Sequence, residues 1–121
     1  MILGLRTATY PVPDLEAGKA FYSKVLAKEP YFDQPFYVGY NVGGFELGLV
    51  PDGQPGSQGP TIYWGVKDAP SAMQKLLSLG ATMLEAVHDV GDGIRVGTVL
   101  DPFDNSFGII ENPHFDAKRV S

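Results

Sequence analysis

The chain has 121 residues and a formal net charge of −5, nine Lys and Arg against fourteen Asp and Glu. That length suits one compact domain, and the acidic balance with no basic cluster excludes a nucleic-acid backbone or an anionic membrane surface as partner. With no cysteine, disulfides, thiolate nucleophiles and cysteine-bound zinc are excluded too.

In chain order, "MILGLRTATYP" is too short and too soon polar for a signal peptide and reads as a strand. No apolar run approaches membrane-spanning length, so a soluble cytoplasmic protein is expected. Asp14 stands at an N-cap position, and Leu15, Phe21, Tyr22, Val25 and Leu26 follow at spacings of three and four. This helix ends at Ala27, which is penalised if the chain turns left-handed there. Strand-like runs "PFYVGYNV" and "GFELGLVP" come next. "PDGQPGSQGP" has three prolines and three glycines in ten residues and reads as a linker.

A second, similar series begins with "TIYWGVKD". Asp68 is its N-cap, Pro70 lies in the first helical turn, Met73, Leu76, Leu77 and Leu79 form the apolar stripe, and Gly80 is the stop. Strands "TMLEAV", "IRVGTVL" and "SFGIIENP" complete it, with Asp104 and Asn105 suited to a tight turn.

The two series are an internal repeat. Thr7, Tyr10, Val12 and Asp14 match Thr61, Trp64, Val66 and Asp68 at one constant interval, while Phe45 and Leu47 match Phe107 and Ile109. Glu46 is then the counterpart of Gly108. The reading is an α+β fold of two βαβββ modules, 1–50 and 61–113, joined by linker 51–60 and followed by tail 114–121. Helices cover one face of a curved mixed sheet. The opposite parity carries Leu5, Thr7 and Thr9; Thr61, Tyr63 and Gly65; Gly44, Glu46 and Gly48; and Ser106, Gly108 and Ile110. A face this rich in small and hydroxyl residues, with one acid, predicts a concave ligand cleft.

The paired modules, with "VPDLEAGKAFYSKVLA", "VKDAPSAMQKLLSLGA" and "DPFDNSFGIIENP", resemble the vicinal oxygen chelate superfamily. That group includes glyoxalases, extradiol dioxygenases, fosfomycin-modifying enzymes and bleomycin-type antibiotic-binding proteins. The resemblance implies a homodimer, and four metal-ligand positions that fall here on Thr7, Glu46, Thr61 and Gly108. Only Glu46 is a suitable ligand, and a divalent catalytic site wants three or more N, O or S donors. No metal and no cofactor are therefore expected.

The expected function is a glyoxalase/bleomycin-resistance-like protein that binds a small molecule without the usual metal ligands. The alternative is a lyase, isomerase or dioxygenase-type enzyme with Glu46 as base or lone metal ligand. Glu46 either accepts a hydrogen bond or proton from the ligand, or is a hydrated carboxylate bonded to Thr7 or Thr61. Tyr63 either stacks on a planar ligand or is a wall aromatic. Arg95 pairs with an anionic ligand or braces a carboxylate. His88 and His114 fall at none of the ligand positions, and Glu111 reads as a solvated strand end.

Overall fold

A computed structural model describes residue 3, residues 5–56 and residues 61–115. Residues 1, 2 and 4 of the opening run, 57–60 of the expected linker and 116–121 of the tail lie outside the described residues. The chain divides into two compact units: Leu5–Gly56 with Phe103–Asn105, and the elements that follow residue 61.

The first unit contains β1 (Thr7–Pro11), α1 (Leu15–Leu26), β2 (Phe32–Gln34), β3 (Tyr37–Val42) and β4 (Phe45–Val50). Its sheet runs β1-β4-β3-β2, with β1 parallel to β4 and the other pairs antiparallel. The Asp14 carboxylate accepts the Ala17 N–H at 3.1 Å, which satisfies one of the free donors at the start of α1. The helix ends with Ala27 at φ 54, so a residue with a Cβ makes the left-handed turn. The hairpin between β3 and β4 turns on Gly43 and Gly44, at φ 61 and 93. The short strand β2, exposed along its length, has no apolar alternation to announce it.

The side-chain parity of β1 is the expected one, whereas β4 buries Gly48 on the expected open face as well and leaves Phe45 half-buried. Ala8, Tyr10, Leu47 and Leu49 are buried, together with Phe21 and Tyr22 of α1. The Tyr10 and Tyr22 rings stack at 5.8 Å. Tyr40, fully buried, shares a 2.9 Å hydrogen bond with the Ser23 hydroxyl and donates to the Lys19 carbonyl at 3.2 Å. Burial of each such large side chain contributes about 1.5–3 kcal/mol. Gly18 allows the close approach of helix to sheet, since a Cβ there would stand 2.8 Å from Cγ2 of Val12. Asn105 is buried and donates from Nδ2 to the Pro11 carbonyl at 2.7 Å. Of the turn pair, only Asp104 has a positive φ, 69.

The second unit contains β5 (Tyr63–Gly65), α2 (Ala69–Ser78), β6 (Thr82–Gly91), β7 (Ile94–Leu100) and β8 (Ser106–Glu111). Its sheet runs β5-β8-β7-β6, again with the first strand parallel to the last. The Asp68 carboxylate accepts the Ser71 N–H at 3.2 Å, and Gly80 takes φ 112 after the helix. Ala69, Met73 and Leu76 pack with Val99, Phe107 and Ile109 in the core. Strand β6 continues beyond "TMLEAV" to a turn at Asp92 and Gly93, φ 57 and 77. Each module thus forms its own four-stranded mixed sheet. Among the described residues, no helix is long and apolar enough to cross a membrane.

Candidate functional site

Strand register assembles the site in the first unit. Thr7 lies opposite Glu46 across the parallel β1–β4 pair, and Asn41 lies opposite Glu46 across the antiparallel β3–β4 pair. Gly39 and Gly48 form the next cross-strand pair. Directly opposed residues share a face, so Thr7, Glu46 and Asn41 form a row across the sheet.

The Glu46 carboxylate is held by two phenols. Tyr31 donates its hydroxyl to Oε1 and Tyr37 donates to Oε2. Tyr37 stands on β3 at the parity of Gly39 and Asn41, while Tyr31 precedes β2 and is fixed by its N–H, which donates to the Gly39 carbonyl at 3.0 Å. Burial, then the bond to Glu46 and its charge, push the Tyr37 phenol well above the ordinary tyrosine value. The Tyr31 phenol is also raised, chiefly by its bond to Glu46. The carboxylate thus keeps both hydroxyls protonated.

The glycines around Glu46 make room for these rings. A Cβ at Gly48 would stand 2.6 Å from Cζ of Tyr37, and one at Gly39 would stand 3.1 Å from Cε2 of Tyr37 and 3.4 Å from Cε1 of Tyr31. The sheet face that looks bare in the sequence is covered by tyrosine. Beside this cover, Arg6, Thr7, Asn41, Gly44 and Phe45 join Tyr31 and Glu46 around a groove of about 490 Å³.

The remaining expected site residues lie in the second unit. Tyr63 pairs with Gly108 across the parallel β5–β8 ladder, and a Cβ at Gly108 would stand 2.7 Å from the Tyr63 ring. Tyr63 pairs with Gly108 as its repeat equivalent Thr9 pairs with Gly48, so the strand register makes Gly108 the counterpart of Gly48, and Ser106 takes the place of Gly108 as the counterpart of Glu46. The Thr61 hydroxyl meets that of Ser106 at 3.4 Å. Arg95 Nη2 donates to both oxygens of Glu111, at 2.7 and 2.8 Å, and Glu111 also accepts the Ala69 N–H at 2.7 Å. The Arg95 guanidinium first, then the Ala69 amide, hold the Glu111 carboxyl below its ordinary value. Arg95 here braces a carboxylate at the start of α2. Glu111 is a paired residue, in place of the solvated strand end expected from its position.

Glu46 bonds to Tyr31 and Tyr37, neither of them one of the threonines expected as its partners. The parity of "PFYVGYNV" carries the missed signal for Tyr37, because Tyr37, Gly39 and Asn41 alternate with buried Val38 and Tyr40. Nothing comparable marks Tyr31 or Arg6, which lie outside regular strands. Among the described residues, no group of three or more His, Asp or Glu side chains is placed to hold one metal ion.

No protein-family model matches the chain, and no curated protein matches it by sequence. Solved structures do. A glyoxalase-related enzyme from Fulvimarina pelagi superposes with a TM-score of 0.76 at 22% identity, covering 93% of this chain and 90% of that one. A member of the glyoxalase/bleomycin resistance protein/dioxygenase superfamily from Sphaerobacter thermophilus gives 0.74 at 24% identity, over 93% and 99% of the two chains. A lactoylglutathione lyase from Agrobacterium tumefaciens gives 0.77 at 19% identity, over 96% and 100%. With its repeated βαβββ order and parallel first-to-last strand pairing, the chain has the fold of the glyoxalase/bleomycin resistance protein/dioxygenase superfamily, the vicinal oxygen chelate proteins.

Proposed function

We propose that this chain is a small-molecule-binding protein of the glyoxalase/bleomycin-resistance kind, and that its site is the groove beside Glu46. The observation that carries this reading is the engagement of both Glu46 oxygens by phenols at the edge of an open groove. A volume of about 490 Å³ suits a ligand of modest size with a planar or apolar portion.

The donor set favours binding over metal-assisted chemistry. Of the four positions where the superfamily resemblance implies ligands, Thr7 and Thr61 offer neutral hydroxyls and Gly108 offers no side chain. A divalent ion wants three or more good donors, so these residues do not fit a resident catalytic metal. Glu46 as a general base is the rival reading. It requires proton uptake by a carboxylate whose two oxygens are each already bonded to a tyrosine hydroxyl, whereas binding uses only the lone pairs those bonds leave free. The lyase activity in the name of the Agrobacterium structure remains a property of that protein.

Screening a fragment library by amide chemical shifts tests the proposal. Hits are expected to move Thr7, Asn41, Gly44 and Glu46 together. Glu46→Gln should weaken polar or cationic hits by about 1–3 kcal/mol through loss of a charge-assisted bond. Hits that map away from this groove, or keep full affinity in Glu46→Gln, would overturn it.

A further inference from the structure

From the hydrogen-bond inventory of this groove we infer the chemical class of its ligand: a planar organic cation, recognised through the protonated nitrogen of an ammonium or amidinium group. The inference rests on the groove beside Glu46 being the binding site. A phenol has one proton to give, and Tyr31 and Tyr37 both give theirs to Glu46. The two phenolic oxygens and the two carboxylate oxygens then form a cluster with one negative charge and spare acceptor capacity, in which neither phenol has a proton left for a ligand; the neutral donors beside it are the Thr7 hydroxyl and the Asn41 amide. Such a cluster attracts N–H donors carrying positive charge and repels a carboxylate or phosphate.

The aromatic surroundings point the same way. The Phe32 ring lies 6.0 Å from both Phe36 and Tyr37, at 67° and 64°. Tyr31 and Phe36 are 65% and 66% exposed, an unusual degree for large aromatics in one short segment. Of these rings Tyr31 lines the groove, together with Phe45, and ring faces attract cations and stack on flat apolar bodies. The opposing charge is Arg6, which also lines the groove. Its Nη1 donates to the Leu5 carbonyl at 3.1 Å, and it has no carboxylate partner among the described residues. If Arg6 governed recognition, the preferred ligand would be an anion, and the two outcomes separate cleanly.

The test uses three isosteric probes, benzamidine, benzamide and benzoate, titrated into the full chain and followed by amide chemical shifts. The expected result is benzamidine binding at least about tenfold tighter than the other two, with shifts at Glu46, Asn41 and Thr7. Glu46→Gln should weaken benzamidine about tenfold or more, and Tyr37→Phe, which keeps the ring, by a few-fold. If Glu46→Gln fails to fold, the preference for benzamidine over benzamide and benzoate in the parent chain decides the assignment. Preference for benzoate or benzamide at these same amides would overturn the cation assignment while leaving the groove as a binding site. Failure of all three to shift these amides would overturn the assignment and count against the groove itself.

Discussion

Gly48 and Gly108 hold corresponding places beside a tyrosine ring, yet the consequences of filling them differ. At Gly48 the obstructing atoms are the far end of the Tyr37 side chain, which can swing aside. At Gly108 they include the Ile62 carbonyl, whose oxygen would stand 2.8 Å from an added methyl group and is itself the acceptor for the Gly108 N–H at 2.9 Å. Gly108→Ala should therefore cost about 1–3 kcal/mol and lower Tm more than Gly48→Ala. Gly48→Ala should instead show itself in the tyrosine absorbance titration, because the displaced Tyr37 loses both its burial and its bond to Glu46. A raised phenol pKa contributes stability that is present below the ordinary tyrosine value and lost as pH rises through the raised one. One phenol should accordingly ionise at lower pH in Gly48→Ala than in the parent. Equal losses of Tm with unchanged titrations would contradict this account.

The start of α2 shows how an element is held by more than its own cap. Asp68 satisfies the Ser71 amide, and Glu111, from the end of β8, satisfies that of Ala69 while Arg95 of β7 grips both its oxygens. A carboxylate at a helix N-terminus also meets the positive end of the helix dipole. Because the Glu111 pKa is lowered, its stabilisation is present above the ordinary carboxylate range and is lost as pH falls through the lowered value. Glu111→Gln should lower Tm at neutral pH, and the gap from the parent should close as the solution is acidified past that range. A gap that stays constant on acidification would show that the pairing is not electrostatic. The end of α1 is the contrasting case, since Ala27 adopts the left-handed conformation despite its Cβ and its backbone N–H donates to the Lys24 carbonyl at 3.3 Å.

At the scale of the whole molecule, the repeat predicts a bulk property, the metal content. Protein purified without chelator should carry no stoichiometric divalent metal, because the four positions that the repeat and the strand register relate, Thr7, Thr61, Glu46 and Ser106, supply one carboxylate and three neutral hydroxyls. Stoichiometric metal that disappears in Glu46→Ala would refute this. The two-module order, both N-caps, the alternating burial of β1 and the burial of Leu47, Leu49, Phe107 and Ile109 follow from the sequence alone, because periodicity, capping and repetition are local properties of the chain. The short strand β2 and the residues around Glu46 do not. Whether a glycine-lined face stays open or receives a side chain depends on which distant residues the strand register brings over it. Glu46 is visible in the sequence as a lone acid among small residues, but its partners come from β3 and from the loop before β2, nine and fifteen positions away. Sequence alternation assigns a residue to a face of its own strand; only the folded chain decides which neighbours share that face, and so only the tertiary structure turned an isolated carboxylate into one held between two phenols.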